Sequence, residues 1–207
     1  MSAVPGVILA GGLATRMGGG DKCLLKLASR PLLAHVIDRL APQAGPLALN
    51  ANGDPARFAT FGLPVLPDSI PGFPGPLAGV LAGLDWAQEL GAAQIVTVAA
   101  DTPFFPTDLV ARLQAAAEVQ GVPIALAATP DERRGLARHP TFGLWPVALR
   151  EDLRAALQAG TRKVVAWTDR HGAANALFDT SGHDPFFNIN TPEDLERARR
   201  IFAEQTT

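Results

Sequence analysis

The sequence contains a single cysteine, Cys23, among its 207 residues, so it cannot form an internal disulfide bond. It also has no cluster of Cys and His residues with the spacing of a zinc site. A fold held together by disulfides or zinc is therefore not expected. The 47% of hydrophobic residues and 18% of charged residues instead indicate a globular chain with a real hydrophobic core.

Charge is nearly balanced, with a formal net charge of -2 at pH 7. A general nucleic-acid-binding protein usually presents a basic face, so binding to nucleic acid is not expected. No apolar run approaches the roughly 20 residues that span a membrane. Residues 1–5 also lack the basic and apolar regions of a signal peptide. We therefore expect a cytoplasmic protein that does not bind membranes.

Both common nucleotide-binding fingerprints are missing from the glycine-rich segment 9–22. It has neither the Gly-Lys-Ser/Thr of a P-loop nor the Gly-x-Gly-x-x-Gly of a dinucleotide fold. Five glycines in ten positions nevertheless let the backbone approach a ligand and turn its amides toward phosphate oxygens. Arg16 can hold a phosphate through two hydrogen bonds, and Lys22 adds a point charge. The segment predicts a phosphate-binding loop, with an ordinary glycine-rich connection as the alternative.

Short apolar runs alternate with amphipathic stretches along most of the chain. This alternation predicts an α/β, Rossmann-like fold, a mostly parallel sheet with helices on both faces. Strands are expected at 6–10, 46–49, 65–66, 94–99, 124–128, 141–145, 175–178 and 186–190. Helices are expected from Pro31, at 55–61, 77–90, 107–120 and 149–159, and after an N-cap at Thr191. No repeat or interdomain linker is found, so residues 1–207 are predicted to form one domain.

Ligands of such folds bind beyond the carboxyl ends of the strands. Three loops with suggestive residues are predicted there, at 11–22, 50–53 and 100–103, which indicates a single site. Asp101 follows the clearest strand, where a carboxylate can hold Mg2+ against nucleotide phosphates. Magnesium keeps several waters, so one or two carboxylates suffice. The alternative role for Asp101 is helix capping, and Asp68, in a proline-rich loop, could be a turn residue.

The glycine-rich segment resembles the signature loop of nucleotidyltransferases that activate sugars and cofactors, through Leu9-Ala10-Gly11-Gly12, Arg16-Met17-Gly18-Gly19 and Asp21-Lys22. Motifs at 50–52, 75–79, 101–104, 139–141 and 188–195 narrow the resemblance to the molybdenum cofactor guanylyltransferases, the molybdopterin-guanine dinucleotide biosynthesis protein A family. The similarity covers nearly the whole chain. One departure is Ser29, at a turn position where that family usually has glycine.

The resemblance implies a single nucleotidyltransferase domain that transfers GMP from GTP to the phosphate of molybdopterin, with Mg2+ as cofactor. It implies catalytic roles for Arg16, Lys22 and Asp101, with Asp101 also binding the metal. The nucleotide-binding residues that it implies are Leu9, Ala10, Gly11, Gly12, Lys22, Asn50, Asp68 and Asp101. The expected substrate-binding residues are His139, Asn188 and Asn190, with His139 facing the pterin.

The expected partners are GTP, molybdopterin or molybdenum cofactor, and, transiently, proteins that make or accept that cofactor. Asn188 and Asn190 alternate along a predicted strand and should point the same way. Two other enzyme functions stay open, a cytidylyltransferase and a sugar-phosphate nucleotidyltransferase. A nucleotide-binding module without catalysis is the alternative from another class, although Arg16, Lys22 and Asp101 disfavour it.

Overall fold

The computed structural model describes residues 3–11, 21–70, 72 and 75–205. Its strands are β1 (Gly6–Leu9), β2 (Lys26–Leu27), β3 (Arg30–Pro31), β4 (Leu47–Asn50), β5 (Val65–Leu66), β6 (Gln94–Ala99), β7 (Ile124–Asp131), β8 (Gly135–Pro146) and β9 (Ala173–Leu177). Its α-helices are α1 (Leu32–Leu40), α2 (Pro76–Glu89), α3 (Leu109–Gln120), α4 (Arg150–Gln158), α5 (Val164–His171) and α6 (Pro192–Gln205). Short 3-10 helices cover Lys22–Leu24, Pro55–Phe61 and Val147–Leu149.

A seven-stranded sheet in the order β5-β4-β1-β6-β8-β7-β9 forms the centre of the molecule. The strands β5, β4, β1 and β6 are parallel to one another. The strand β8 is antiparallel to both β6 and β7, and β9 is parallel to β7. The predicted mostly parallel sheet is thus confirmed. We refer to β5, β4, β1 and β6 as the parallel half, and to β8, β7 and β9 as the hairpin half.

Helices cover both faces of this sheet, as predicted. Val7 and Ile8 are neighbours in β1 and therefore point to opposite faces. Ile8 packs in a buried cluster with residues of α1 and α3, whereas Val7 packs with residues of α2, α4 and α5. The helix α2 approaches β1 closely, because a Cβ on Gly83 would lie 2.8 Å from Val7 Cγ2. Among the described residues, no helix has the length and apolarity to cross a membrane.

The hairpin half differs most from the sequence-based expectations. The predicted strand 141–145 is only part of β8, which pairs with β7 across residues 132–134. Pro130 and Pro140 lie within these strands, and internal prolines argue against strand structure in a sequence. The helix α5 was not predicted, because two β-branched residues, Val164 and Val165, begin a segment of only eight residues.

The predicted strand at 186–190 is wrong. This segment forms no ladder, and Ile189 donates one backbone hydrogen bond to the Asp101 carbonyl at 3.1 Å. The predicted N-cap of the following helix is confirmed. Thr191 Oγ1 accepts from the Asp194 amide at 3.2 Å, and Asp194 Oδ2 accepts from the Asn190 and Thr191 amides at 2.9 Å each. This reciprocal capping fixes the segment's exit into α6.

Candidate active site

A cleft of about 430 Å3 opens at the carboxyl ends of β1, β4 and β6. Its lining residues are Leu9, Gly11, Asn50, Asn52, Asp68, Gly75, Pro76, Ala99, Asp101, Thr141 and Asn188. The described parts of all three predicted loops therefore meet in one place. Ala10 is buried in the core directly after β1. The predicted site residues Gly12 and Arg16 lie outside the described residues.

One end of the cleft is charged. The Lys22 ammonium forms an ion pair with Asp101 Oδ2 and donates to Asn190 Oδ1 at 2.6 Å. The Lys22 and Asp101 side chains are only 13% and 19% exposed, so solvent screens this pair poorly. An ammonium has three N–H donors, and these two contacts leave one for a phosphate oxygen. We call Lys22, Asp101, Asn188 and Asn190 the charged end.

The segment 186–190 reaches the charged end without being a strand. Its Ile189 amide is tied to the Asp101 carbonyl, which places the side chains on either side of it beside the loop after β6. Thr102 Oγ1 lies within hydrogen-bonding distance of Asn188 Oδ1 and, at 3.2 Å, of Asp101 Oδ1. Since a hydroxyl has one proton, it donates to the nearer oxygen, that of Asn188. Asn188 and Asn190 are thus brought together with Lys22 and Asp101.

The other end of the cleft is built from amides around one carboxylate. Asn50 Nδ2 donates to Asp68 Oδ1 at 3.0 Å, and Asn52 Nδ2 donates to Asp68 Oδ2 at 2.8 Å. Asn52 Oδ1 also accepts from the Asp68 amide at 2.9 Å. Both oxygens of Asp68 are therefore held in place, and each has a further lone pair for a ligand donor. We call Asn50, Asn52 and Asp68 the amide end.

The helix α2 leaves room for the amide end through a glycine. A Cβ on Gly79 would lie 2.2 Å from Asn50 Oδ1 and 2.8 Å from Leu9 Cδ2. Both neighbours are confined, because Asn50 is only 5% exposed and its amide also donates to the Leu66 carbonyl at 3.1 Å. Any larger residue at position 79 would displace Asn50 from Asp68.

The hairpin half contributes Thr141 through a bulge. Leu126 of β7 pairs with Gly143, and the next residue, Ala127, pairs with His139, so residues 140–142 of β8 are extra. A bulge of this kind bends a strand and redirects its side chains. Thr97 Oγ1 donates to the Thr141 carbonyl at 2.9 Å and holds the bulge against β6. Thr141 reaches the cleft for this reason.

The family model of the MobA-like NTP transferase domain matches residues 6–174. This chain belongs to that family. A protein from Bradyrhizobium sp. (strain ORS 278), named molybdenum cofactor guanylyltransferase, is 58% identical over 205 residues, which cover 98% of this chain and 94% of that protein.

Solved structures share the MobA-like fold at low sequence identity. Molybdopterin-guanine dinucleotide biosynthesis protein A from Archaeoglobus fulgidus superposes with a TM-score of 0.72 at 21% identity, covering 97% of this chain and 100% of that one. A 4-diphosphocytidyl-2C-methyl-D-erythritol synthase from Anaerococcus prevotii gives a TM-score of 0.73 at 12% identity, covering 98% and 96%. The fold alone therefore does not distinguish enzymes named for guanine from those named for cytidine.

His139 of this MobA-like domain packs against the ring of Phe186 and is not a lining residue of the cleft. Its ring stacks on Phe186 with centroids 4.4 Å apart, and its Nε2 lies 2.9 Å from Thr129 Oγ1. Burial lowers the pKa of His139, although the nearby Asp184 carboxylate acts in the opposite direction. The role of His139 in pterin binding stays a prediction.

Cys23 lies beside Lys22 but is not a candidate nucleophile of this MobA-like domain. Its side chain is buried, and burial together with the negative charge of Asp21 raises the pKa of the thiol to about 12. A thiol is nucleophilic as the thiolate, which is therefore scarce here near neutral pH.

The charged end fits Mg2+ by the chemistry of its donors. Asp101 offers a carboxylate and Asn188 an amide oxygen, which are the hard ligands that this ion prefers. Among the described residues no group of three His, Cys, Asp or Glu side chains converges. A magnesium ion held by one or two protein oxygens takes its remaining ligands from water and nucleotide phosphates.

Sequence reasoning gave no role to Asn52, Thr102 or Thr141, although each lies within a quoted motif. The available signal for Asn52 was its position, since it is a polar residue that follows Asn50, the last residue of β4, by two positions. Nothing local pointed to Thr141, because a bulge is defined by pairing with another strand.

Proposed function

We propose that this protein is a molybdenum cofactor guanylyltransferase, which transfers GMP from GTP to the phosphate of molybdopterin and releases pyrophosphate. The observation that carries the proposal is a single cleft with a charged, metal-compatible end and an amide-lined carboxylate at the other end. A nucleoside triphosphate has the matching polarity, with phosphates at one end and a hydrogen-bonding base at the other. The name of the Bradyrhizobium relative supports the same substrates.

The charged end performs the transfer. An oxygen of the molybdopterin phosphate attacks the α-phosphorus of GTP in line, a new P–O bond forms, and the bond to the bridging oxygen breaks as pyrophosphate leaves. No general base is needed, since the attacking phosphate is already ionised near neutral pH. Catalysis then consists mainly of positioning and charge neutralisation. Lys22 contributes its remaining N–H donor, and Arg16 is the predicted clamp on the departing pyrophosphate.

Asp101 and Asn188 would hold Mg2+ at this end. When bound, the ion supplies positive charge that neutralises the phosphates. Lys22 restrains the Asp101 carboxylate through their ion pair, and Asn190 accepts from the same ammonium. Together these contacts fix the donor oxygens before a nucleotide arrives, which is the pre-organisation that electrostatic catalysis requires.

The amide end selects the base. The Asp68 carboxylate can accept from the N1–H and the amino group of guanine, and adenine presents no such pair of donors. Asn50 and Asn52 orient both carboxylate oxygens for this task. With adenine in the cleft, at least one oxygen of Asp68 would lose water without gaining a donor, at a cost of about 1–3 kcal/mol.

The two asparagines of the charged end would bind the pterin phosphate. Asn190 accepts from Lys22 through Oδ1, which leaves its Nδ2 donors for a ligand. Asn188 lines the cleft, and His139 remains the predicted third contact. Contacts with proteins that make or accept the cofactor, and the cytoplasmic location, also remain predictions.

The test is a panel of nucleotides. The protein with Mg2+ and molybdopterin is incubated with GTP, ATP, CTP or UTP, and pyrophosphate and the pterin dinucleotide are quantified. We expect dinucleotide with GTP and little with the other three. A preference for CTP would indicate a cytidylyltransferase. Nucleotide binding without pyrophosphate release would indicate a non-catalytic module. Chelation of Mg2+ with EDTA should abolish product, whereas undiminished turnover in EDTA would contradict the metal assignment.

A further inference from the structure

Arg57 lies between Asp21, the residue before Lys22 of the charged end, and the backbone of Asn52 in the amide end. It belongs to the 3-10 helix Pro55–Phe61. Its Nε lies 2.6 Å from Asp21 Oδ2, its Nη1 donates to the Asp54 carbonyl at 2.6 Å, and its Nη2 donates to the Asn52 carbonyl at 2.5 Å. One guanidinium thus contacts the residue directly before Lys22 and the backbone of Asn52.

The ion pair between Arg57 and Asp21 is largely shielded from water. The two side chains are 28% and 14% exposed, and Nε itself is buried. The short Nε contact lacks the angle of a hydrogen bond, so Asp21 balances this buried group mainly by charge. The guanidinium also lies 4.6 Å above the ring of Phe58, a core residue. Arg57 is therefore held against the core by Phe58 while its guanidinium contacts Asp21 on one side and Asn52 on the other.

The loop around Arg57 is shaped to fit the guanidinium. Gly53 has a φ of +86°, and a Cβ there would lie 3.1 Å from Arg57 Nη1. The carbonyls of Asn52 and Asp54, on either side of Gly53, both turn inward to accept from Arg57. A glycine permits this left-handed turn and the close approach. The planar guanidinium of arginine can donate to both carbonyls while its charge faces Asp21, a fixed geometry that a lysine side chain does not have.

We propose that Arg57 is a positioning residue that sets the distance between the charged end and the amide end. It acts through Asp21 on Lys22, and through the Asn52 backbone on Asp68. The inference rests on the proposed function, because GTP is the ligand that would touch both ends at once. Fixed spacing favours a ligand whose two parts bind simultaneously, and it gives no advantage to either part alone.

The experiment compares GTP with its two fragments. Dissociation constants for GTP, guanosine and inorganic tripolyphosphate are measured with Mg2+, the fragments by displacement of labelled GTP. Arg57→Lys keeps the positive charge but loses the planar guanidinium, and Arg57→Met removes both. We expect about a tenfold weaker affinity for GTP in both variants, with fragment affinities changed by about twofold or less. Circular dichroism and thermal unfolding establish that each variant is folded.

Arg112 provides a matched control. It also forms an ion pair with an aspartate, Asp108, donates to a carbonyl, that of Leu177, and lies 4.2 Å above a phenylalanine ring, Phe178. These contacts lie against β9, away from the cleft. Arg112→Lys and Arg112→Met should therefore leave all three affinities within about twofold of the wild type.

Two results would overturn the role of Arg57. If both variants bound GTP as tightly as the wild type, the spacing between the two ends would not limit GTP binding. If GTP and one fragment lost affinity equally, Arg57 would act only at the end of the cleft that binds that fragment. If Arg57→Met does not fold, Asp21→Asn breaks the same ion pair with little change of shape. Asp21→Asn combined with Arg57→Lys should then weaken GTP binding by less than the product of the single effects. A wild-type protein that binds adenosine as well as guanosine would instead contradict the proposed function.

Discussion

The two halves of the sheet use their polar residues differently. In the parallel half, Asn50 ends β4, Asp101 lies two residues after the end of β6, and both residues line the cleft. In the hairpin half, His139 is in contact with Thr129 and is stacked under Phe186. Parallel strands bring all their carboxyl ends to one edge, whereas the antiparallel β8 runs in the opposite direction.

This difference predicts the consequence of substitutions in each half. Changes in the parallel half should alter chemistry and selectivity with modest effects on stability. Changes in the hairpin half should alter stability with modest effects on chemistry. Thr141 is the exception, because a bulge carries it to the cleft.

The largest effect is expected for Asp101→Asn. This change keeps the shape of the side chain but removes the negative charge that pairs with Lys22 and that we propose holds Mg2+. Turnover should fall on the order of 100-fold or more, since charge terms dominate this chemistry. Steady-state pyrophosphate release measures it. Asp169→Asn, which breaks an ion pair with Arg138 on the hairpin side, should retain nearly full activity. If folded Asp101→Asn protein released pyrophosphate at nearly the wild-type rate, the assignment of Asp101 as the metal ligand would be wrong.

Next in size is Asp68→Asn. An amide cannot accept from both guanine donors, and it would face the amides of Asn50 and Asn52. We expect the ratio of kcat/KM for GTP to that for ATP to fall roughly tenfold or more. The reaction with the best nucleotide should slow by less. A ratio equal to that of the wild type would show that Asp68 does not read the base.

A smaller loss is expected for Asn52→Ala. Asp68 would lose the hydrogen bond from Asn52 Nδ2 and the one that its own backbone amide donates to Asn52 Oδ1. It would keep the hydrogen bond from Asn50. Selectivity for GTP should fall by about fivefold, in line with one hydrogen bond of roughly 1 kcal/mol. Asn175→Ala is the matched control, because Asn175 accepts from Arg138 in the hairpin half at 2.8 Å. Equal selectivity losses in the two variants would contradict the contrast between the halves.

The smallest effect is expected for His139→Gln and depends on pH. Burial lowers the pKa of folded His139 below its ordinary value near 6.5, so between these two pKa values the unfolded chain binds more protons than the folded one. The wild type should therefore lose stability as the pH falls below about 6.5, and the variant should lose less. Urea unfolding at pH 7.5, 6.5 and 5.5 measures this. A raised KM for molybdopterin, without the difference in pH dependence, would instead favour a role in substrate binding.

Much of the cleft follows from local sequence. The apolar run 94–99 predicts a buried strand, and the polar residue after such a strand lies at the ligand-binding edge. The same reasoning places Asn50, and the structure brings it to one cleft with Asp101. These positions were predictable because hydrophobic periodicity reports on a residue's own strand or helix, which depends mainly on its near neighbours.

The sequence by itself determined the α/β alternation, the glycine-rich loop and the polar residues at the ends of β4 and β6. The tertiary structure alone decided which of these residues touch. Lys22 meets Asn190 across 168 positions of sequence, and Asn52 meets Asp68 across 16. The ion pair of Arg57 with Asp21 and the bulge at Thr141 likewise depend on partners that are distant in sequence. The physical reason is that a local pattern records whether a side chain is buried or exposed, whereas its partner depends on how the whole sheet assembles.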